Sequence, residues 1–296
     1  MTSRRVFIKS ASALSAAVFV KGPINAFKKA PLIGLQLYTV RDAMQQDPHK
    51  TLEHVAKIGY NSVEGATYTG SQTFYGMDPL AFKKVLKDDG LVMLSGHYRL
   101  GEEKTPQPVK GTMLLDWQKA VDDAATVGLK YMVCAYLAQD ERGSLDHYKS
   151  LAEEFNKAGE TCKKAGIQFC YHNHNFEFDA QDGILPYDIL LNNTDKNLVK
   201  MEMDLYWVTK AGHDPIELFK KHPGRFPLWH VKDMDNTADK SFAAVGTGTI
   251  DFKRIFREKN LAGMKYFFVE QDKCPGSPFD SITESYNYIK NNLISI

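Results

Sequence analysis

Only four cysteines occur in the 296 residues, at positions 134, 162, 170 and 274, and no two stand in a CxxC spacing. That excludes a thiolate zinc ribbon and a disulfide-stapled fold. Cys134, Cys162 and Cys170 fall in apolar contexts and read as buried free thiols. No uninterrupted apolar run reaches the about 20 residues that cross a bilayer. Neither sign of charge dominates, with 37 Lys and Arg against 36 Asp and Glu. No low-complexity linker, charge block or shift of composition divides residues 27–296, so one domain with one large core is expected.

What the N-terminus does contain sets it apart. Arg4 and Arg5 open a basic stretch to Lys9, an uncharged run follows from Ser10 to Val20, and Lys21-Gly22-Pro23 comes next. This reads as a twin-arginine export signal over residues 1–26, with cleavage after Ile24-Asn25-Ala26 and no lipid-anchoring Cys beyond it. The expectation is a periplasmic protein with no stable membrane anchor. Removing that segment takes away four bases and no acid, leaving 33 bases against 36 acids. A slightly acidic surface argues against nucleic acid as a partner.

Along the rest of the chain, an amphipathic segment, a glycine and a short apolar run recur around Gly59, Gly90, Gly128 and Gly166. Each glycine suits a left-handed helix C-cap. Intervals of 31, 38 and 38 residues fit helix, loops and parallel strand rather than a hairpin. Apolar runs predict eight strands, at about 32–38, 61–65, 91–97, 129–136, 167–174, 198–204, 226–231 and 265–270. The clearest helix is 144–165, where Ser144 can cap and Leu145, Tyr148, Leu151, Phe155, Ala158 and Cys162 form one stripe. Eight repeated units predict a (β/α)8 TIM barrel.

Such a barrel builds its site at the C-terminal ends of its strands. Polar residues collect there: Gln36 and Tyr38, Glu64, His97, Tyr136, His172 and His174, Glu202 and Asp204, His230 and Lys232, then Glu270. Alternation puts His172 with His174, Glu202 with Asp204, and His230 with Lys232 on shared faces. Imidazoles and carboxylates without a thiolate cluster suit a divalent ion such as Mn, Zn, Co, Ni, Fe or Mg, with positions left for water or substrate oxygens. His49, His54, His147, His213 and His222 lack such company and read as solvated.

Two motifs carry a resemblance. Leu228-Trp229-His230-Val231-Lys232-Asp233-Met234 and Val245-Gly246-Thr247-Gly248-Thr249-Ile250-Asp251-Phe252 are similar to the His-x-Lys-Asp strand and following Gly-x-Gly turn of the sugar phosphate isomerase/epimerase family, xylose isomerase-like TIM barrels. By itself Gly246-x-Gly248 fits either a flexible lead-in to a helix or a phosphate nest; the lead-in is preferred.

The resemblance implies metal ligands from strands five to eight: Asp204, His230 and Glu270, with His172 (or His174) where epimerases carry Glu. It further implies a carbohydrate substrate, with Gln36, Glu64 and His97 orienting hydroxyls and Tyr136 and Trp207 as aromatic walls. His172, His174 and Glu270 would handle the proton next to a sugar carbonyl and Lys232 the enolate oxygen, although Lys232 could instead pair with Asp233 or Glu202. An imidazole in place of a carboxylate favours 3-keto-glycoside lyase or dehydratase chemistry over ketose 3-epimerisation or isomerisation. A non-catalytic periplasmic sugar-binding barrel is the remaining alternative, and homo-oligomerisation is left open.

Overall fold

The computed structural model describes residues 31–296, apart from 72 and 102–108; the expected signal at 1–26 and its boundary lie outside the described residues. Ten strands follow in chain order: β1 (Gly34–Gln36), β2 (Ser62–Gly65), β3 (Val92–Tyr98), β4 (Tyr131–Cys134), β5 (Gln168–His172), β6 (Val199–Asp204), β7 (Leu228–Val231), β8 (Asp233–Met234), β9 (Phe242–Ala243) and β10 (Tyr266–Val269). All but β8 and β9 close into one parallel barrel of order β1-β10-β7-β6-β5-β4-β3-β2. The pair β8 and β9 forms a small antiparallel ribbon after β7.

Each of the eight apolar runs therefore holds a barrel strand, but several strands stop short of their expected ends. The first ends at Gln36 instead of 38, because Leu37–Val40 wind into a 3-10 turn capped by the Gln36 side chain, which accepts from the Tyr38 N–H at 3.1 Å. The fourth ends at Cys134 and the fifth at His172, leaving Tyr136 and His174 on loops. Gly59, Gly90, Gly128 and Gly166 all take positive φ where their helices close. At Gly128, φ is +106° and the N–H reaches the Ala124 carbonyl at 2.9 Å, a cap that a Cβ would strain.

Outside the barrel, the Leu145–Lys164 helix begins as its stripe predicts, with Ser144 accepting from the His147 N–H. Tyr148, Leu151, Ala152, Phe155, Ala158 and Cys162 are buried against the barrel wall. Each of the large side chains contributes roughly 1.5–3 kcal/mol by leaving water. Three cysteines are buried and all four are free. Among the described residues no helix is long and apolar enough to cross a membrane.

Inside the barrel, the strand period of two stacks side chains in layers. The lowest layer is an apolar plug of Val133, Cys170, Leu228 and Phe268, with Leu94, Tyr131 and Tyr266 packed on it. A register slip opposite Val63 and Glu64 resets the alternation of β3. Leu94 thereby joins this plug while Ser95, immediately after it, comes into register with Glu64. Two residues up from the plug, the interior face becomes polar: Cys170 is followed by His172 and His174, Leu228 by His230 and Lys232, Phe268 by Glu270 and Asp272. The site stands on a dry floor.

Candidate active site

The polar layer is a connected network. Glu64 and His230, 166 residues apart, meet with Oε2 and Nε2 2.6 Å from each other, while Gln36 donates to the same Glu64 oxygen at 2.8 Å. The other ring nitrogen of His230 lies 2.8 Å from Glu270 Oε2. Glu202 Oε2 gathers His97 Nε2 at 2.8 Å, His172 Nδ1 at 3.0 Å and His230 Nε2 at 3.3 Å. His172 Nε2 lies 3.6 Å from Asp204 Oδ2. Above them Lys232 Nζ stands 2.7 Å from Glu270, 2.9 Å from Asp272 and 3.2 Å from Asp204.

Charge follows from this geometry. Burial opposes a charge on His230, but Glu202, Glu270 and Glu64 outweigh it and hold the imidazole well above its ordinary pKa. Lys232 is likewise raised, because Asp204 and Glu270 overcome the cost of its burial. Burial pushes Glu270 up, yet Lys232 and His230 win and hold it well below the carboxylate range. Glu202 rises to about 7, from burial and then the Glu64 charge. His172 and His174 fall well below their ordinary value, chiefly by burial and then by His230 and Lys232 respectively. Two neutral imidazoles thus face a charged carboxylate across one mouth.

The mouth opens into a cavity of about 330 Å³ walled by Tyr38, Tyr136, His97, His172, His174, Lys232, Glu270 and Asp272, with Tyr68 and Arg99 to one side. Gln36 and Glu64 are fully buried and lie below this wall, where they hold His230 rather than face the cavity. Trp207 stands behind the His174 ring, 5.5 Å between centroids. Lys232 pairs with neither Asp233 nor Glu202 but with Asp204, Glu270 and Asp272. His213 and His222, expected to be solvated, are half-buried, His213 against Phe178.

Could these residues hold a divalent ion? Donor atoms of Asp204, His230 and Glu270 lie within 4.8 Å of one another, as do those of His97, His172, Glu202 and His230. Asp204 Oδ2, Glu202 Oε1 and Glu64 Oε1 are buried without a hydrogen bond. Buried carboxylate oxygens left without donors suit a cation, and the mixed N and O set fits zinc, manganese or cobalt. His230 serves both groups through opposite ring nitrogens.

The Gly246-x-Gly248 segment does lead into the helix Phe252–Arg257, capped by Asp251, but it is tied down rather than flexible and is no phosphate nest. Its N–H groups at Gly246 and Gly248, with those of Met234 and Ile250, donate to the Asp233 carboxylate at 2.8–3.2 Å. A Cβ at Gly248 would stand 2.4 Å from Asp233 Oδ1. The nest is filled by the chain's own anion, and the last residue of the His-x-Lys-Asp motif is structural.

Asp272 and Glu177 were not singled out in the sequence, and Glu202, read there only as a strand-end carboxylate beside Asp204, proves to be a hub for three histidines. Glu202 shares its strand face with Asp204, and Asp272 stands two residues beyond Glu270, so strand alternation carried a signal for both. Glu177 had none. It accepts from the Tyr171 hydroxyl at 2.5 Å and from the His174 N–H at 2.8 Å, fixing the loop that carries His174.

Burial raises Glu177 from 4.5 to about 7. An acid with a raised folded-state pKa stabilises the fold below its unfolded value and loses that contribution as pH rises through the folded one. Wild-type stability should therefore fall relative to Glu177→Gln between about pH 4.5 and 7, by on the order of 3 kcal/mol. Thermal scans of both proteins across that range test this, and parallel Tm curves would refute it.

A closed parallel (β/α)8 barrel, with an apolar plug below and imidazoles and carboxylates converging at its C-terminal mouth, defines the class of the molecule. The chain belongs to the xylose isomerase-like TIM barrel family, whose model matches residues 52–291. It is 29% identical to a sugar phosphate isomerase/epimerase from Parabacteroides distasonis, with a TM-score of 0.75, covering 92% of this chain and 97% of that one. It is 30% identical over 165 residues to an inosose dehydratase of Clostridium perfringens, which is 49% of this chain and 54% of that protein. The match thus spans about half the length of that relative. The fold also superposes on the IolI protein solved with a bound zinc atom, with a TM-score of 0.69 at 15% identity, covering 90% and 99% of the two chains.

Proposed function

We propose that the protein is a divalent-metal-dependent enzyme that removes a proton next to a sugar ketone and expels the β-substituent, as a 3-keto-glycoside lyase or dehydratase. One observation carries the reading: His172 at the end of β5 and His174 just beyond it line one cavity with Glu270 and Lys232, so two imidazoles stand where paired carboxylates would be needed for epimerisation. Unlike groups suit elimination, in which one side removes a proton and then protonates a leaving group. Epimerisation calls for matched carboxylates on opposite faces. The dehydratase name of the 30% relative supports the same direction.

Asp204, His230, Glu270 and His172 would hold the ion, which supplies Lewis acidity toward the ketone and the adjacent hydroxyl. Both nitrogens of His172 face carboxylates, so it serves as a holding group. His174 lines the cavity and serves as the base, through Nε2, since its Nδ1 is buried away from the opening. It takes the α-proton, the C–H electron pair forms a C=C bond to the carbonyl carbon, and the carbonyl π pair moves onto the ketone oxygen, whose charge Lys232 stabilises. The carbonyl then re-forms, the C–O bond at the β-carbon breaks, and the leaving oxygen departs with the proton from His174. The products are an enone and an alcohol or water. Export by the twin-arginine signal would place this chemistry among periplasmic glycosides.

Metal-loaded protein should release alcohol from a 3-keto-glucoside, or water from an inosose, and leave a free ketose unchanged, as followed by NMR in deuterated water. Epimerisation of the ketose alone would sink the elimination reading. Binding without turnover or α-proton exchange would favour a sugar-binding barrel.

A further inference from the structure

Lys232 pairs with three carboxylates at the mouth and occupies a place that a metal ion would contest. Its ammonium is buried, with the side chain 2% exposed, and touches Glu270 Oε2 at 2.7 Å and Asp204 Oδ2 at 3.2 Å. Both carboxylates belong to the Asp204, His230 and Glu270 donor group. Asp204 Oδ2 accepts no hydrogen bond from any group, so its contact with Lys232 is ionic and undirected. The third partner differs. Asp272 Oδ1, 2.9 Å away, belongs to a side chain 23% exposed on the cavity wall and to neither donor group.

We propose that Lys232 is the resident counter-cation of the metal site, holding Asp204 and Glu270 when no ion is bound and shifting onto Asp272 when one takes them. The inference rests on the metal reading above. Two like charges of nearby carboxylates, buried together, repel strongly at low dielectric, and an ammonium between them removes that cost. A divalent ion must displace it, because an ammonium and a metal cannot share the same oxygens without opposing each other. Lys232 thus lowers the affinity of the site and stabilises the metal-free fold. Its four-carbon stem lets it turn toward Asp272 and the cavity, where it meets a substrate oxygen.

The test is metal affinity rather than turnover, measured at one pH by chelator competition with Mn(II), Co(II) and Zn(II) alone. Lys232→Met should bind each ion at least tenfold more tightly than wild type while its metal-free Tm falls. Asp272→Asn should bind severalfold more weakly, because the displaced ammonium has lost its second partner. Unchanged or weaker binding by Lys232→Met, with wild type still binding better than Asp204→Asn, would overturn the counter-cation role alone. Equal binding by wild type and Asp204→Asn would overturn the site itself, and the counter-cation with it. Should Lys232→Met fail to fold without metal, Lys232→Gln carries the comparison, with a larger metal-induced rise in Tm than wild type expected and an equal or smaller rise refuting the proposal.

Discussion

Glu270→Gln should lower kcat/KM by at least about a thousandfold and empty the site of metal. The glutamine keeps the shape of the side chain and removes only its charge. That charge is the common partner of His230 Nδ1 at 2.8 Å and Lys232 Nζ at 2.7 Å, and it holds both cations in place. Without it, the amide offers one neutral oxygen to a divalent ion, and a carboxylate facing the two imidazoles is gone. Steady-state kinetics beside metal analysis of the purified variant decide the matter. Retention of more than a tenth of the activity, or of a full complement of metal, would refute this role for Glu270.

Asp233→Ala should cost about 2–4 kcal/mol of stability, chiefly by leaving two buried N–H groups unpaired. One carboxylate accepts the N–H groups of Met234, Gly246, Gly248 and Ile250. Alanine would leave the buried donors of Met234 and Ile250 without a partner, while those of Gly246 and Gly248, nearer the surface, could turn to water. The turn also receives the β8–β9 ribbon, which pairs Asp233 with Ala243 and Met234 with Phe242. Gly248→Ala should damage the same turn from the other side, since a Cβ there meets both Asp233 Oδ1 and the Met234 carbonyl at 2.4 Å. Urea unfolding of wild type and Asp233→Ala measures the loss; a difference under about 1 kcal/mol would show that the turn holds without its anion.

Much of this molecule was legible in one dimension because its strands are short, parallel and buried. Such strands read as apolar runs, and the glycines that cap the intervening helices mark their spacing. The polar residues at the strand ends were visible for the same reason, since a barrel interior that changes from Leu228 to His230 to Lys232 does so at a fixed period of two. Where the strands ended was less clear. The interactions that stop them, such as the Gln36 side chain on the Tyr38 N–H, compete locally with the ladder and leave no mark on hydropathy.

The partners of each polar group were hidden. Gln36 and Glu64 lie at strand ends like the others, yet closure of the barrel sets them below the cavity, under His230. Glu177 has no pattern to mark it, and only the folded loop sets it against Tyr171 and the His174 backbone.

The sequence by itself determined the eight-unit barrel and the face on which its ionisable groups converge, because both depend on periods that a single strand or helix imposes. Only the tertiary structure decided that Lys232 sits among Asp204, Glu270 and Asp272, that Asp233 fills its own glycine turn, and that Glu202 joins three histidines. These pairings form between groups up to 105 residues apart, across a closed sheet whose curvature sets which strand ends meet. Electrostatic interaction falls off with distance in space, and no spacing along a chain encodes that distance.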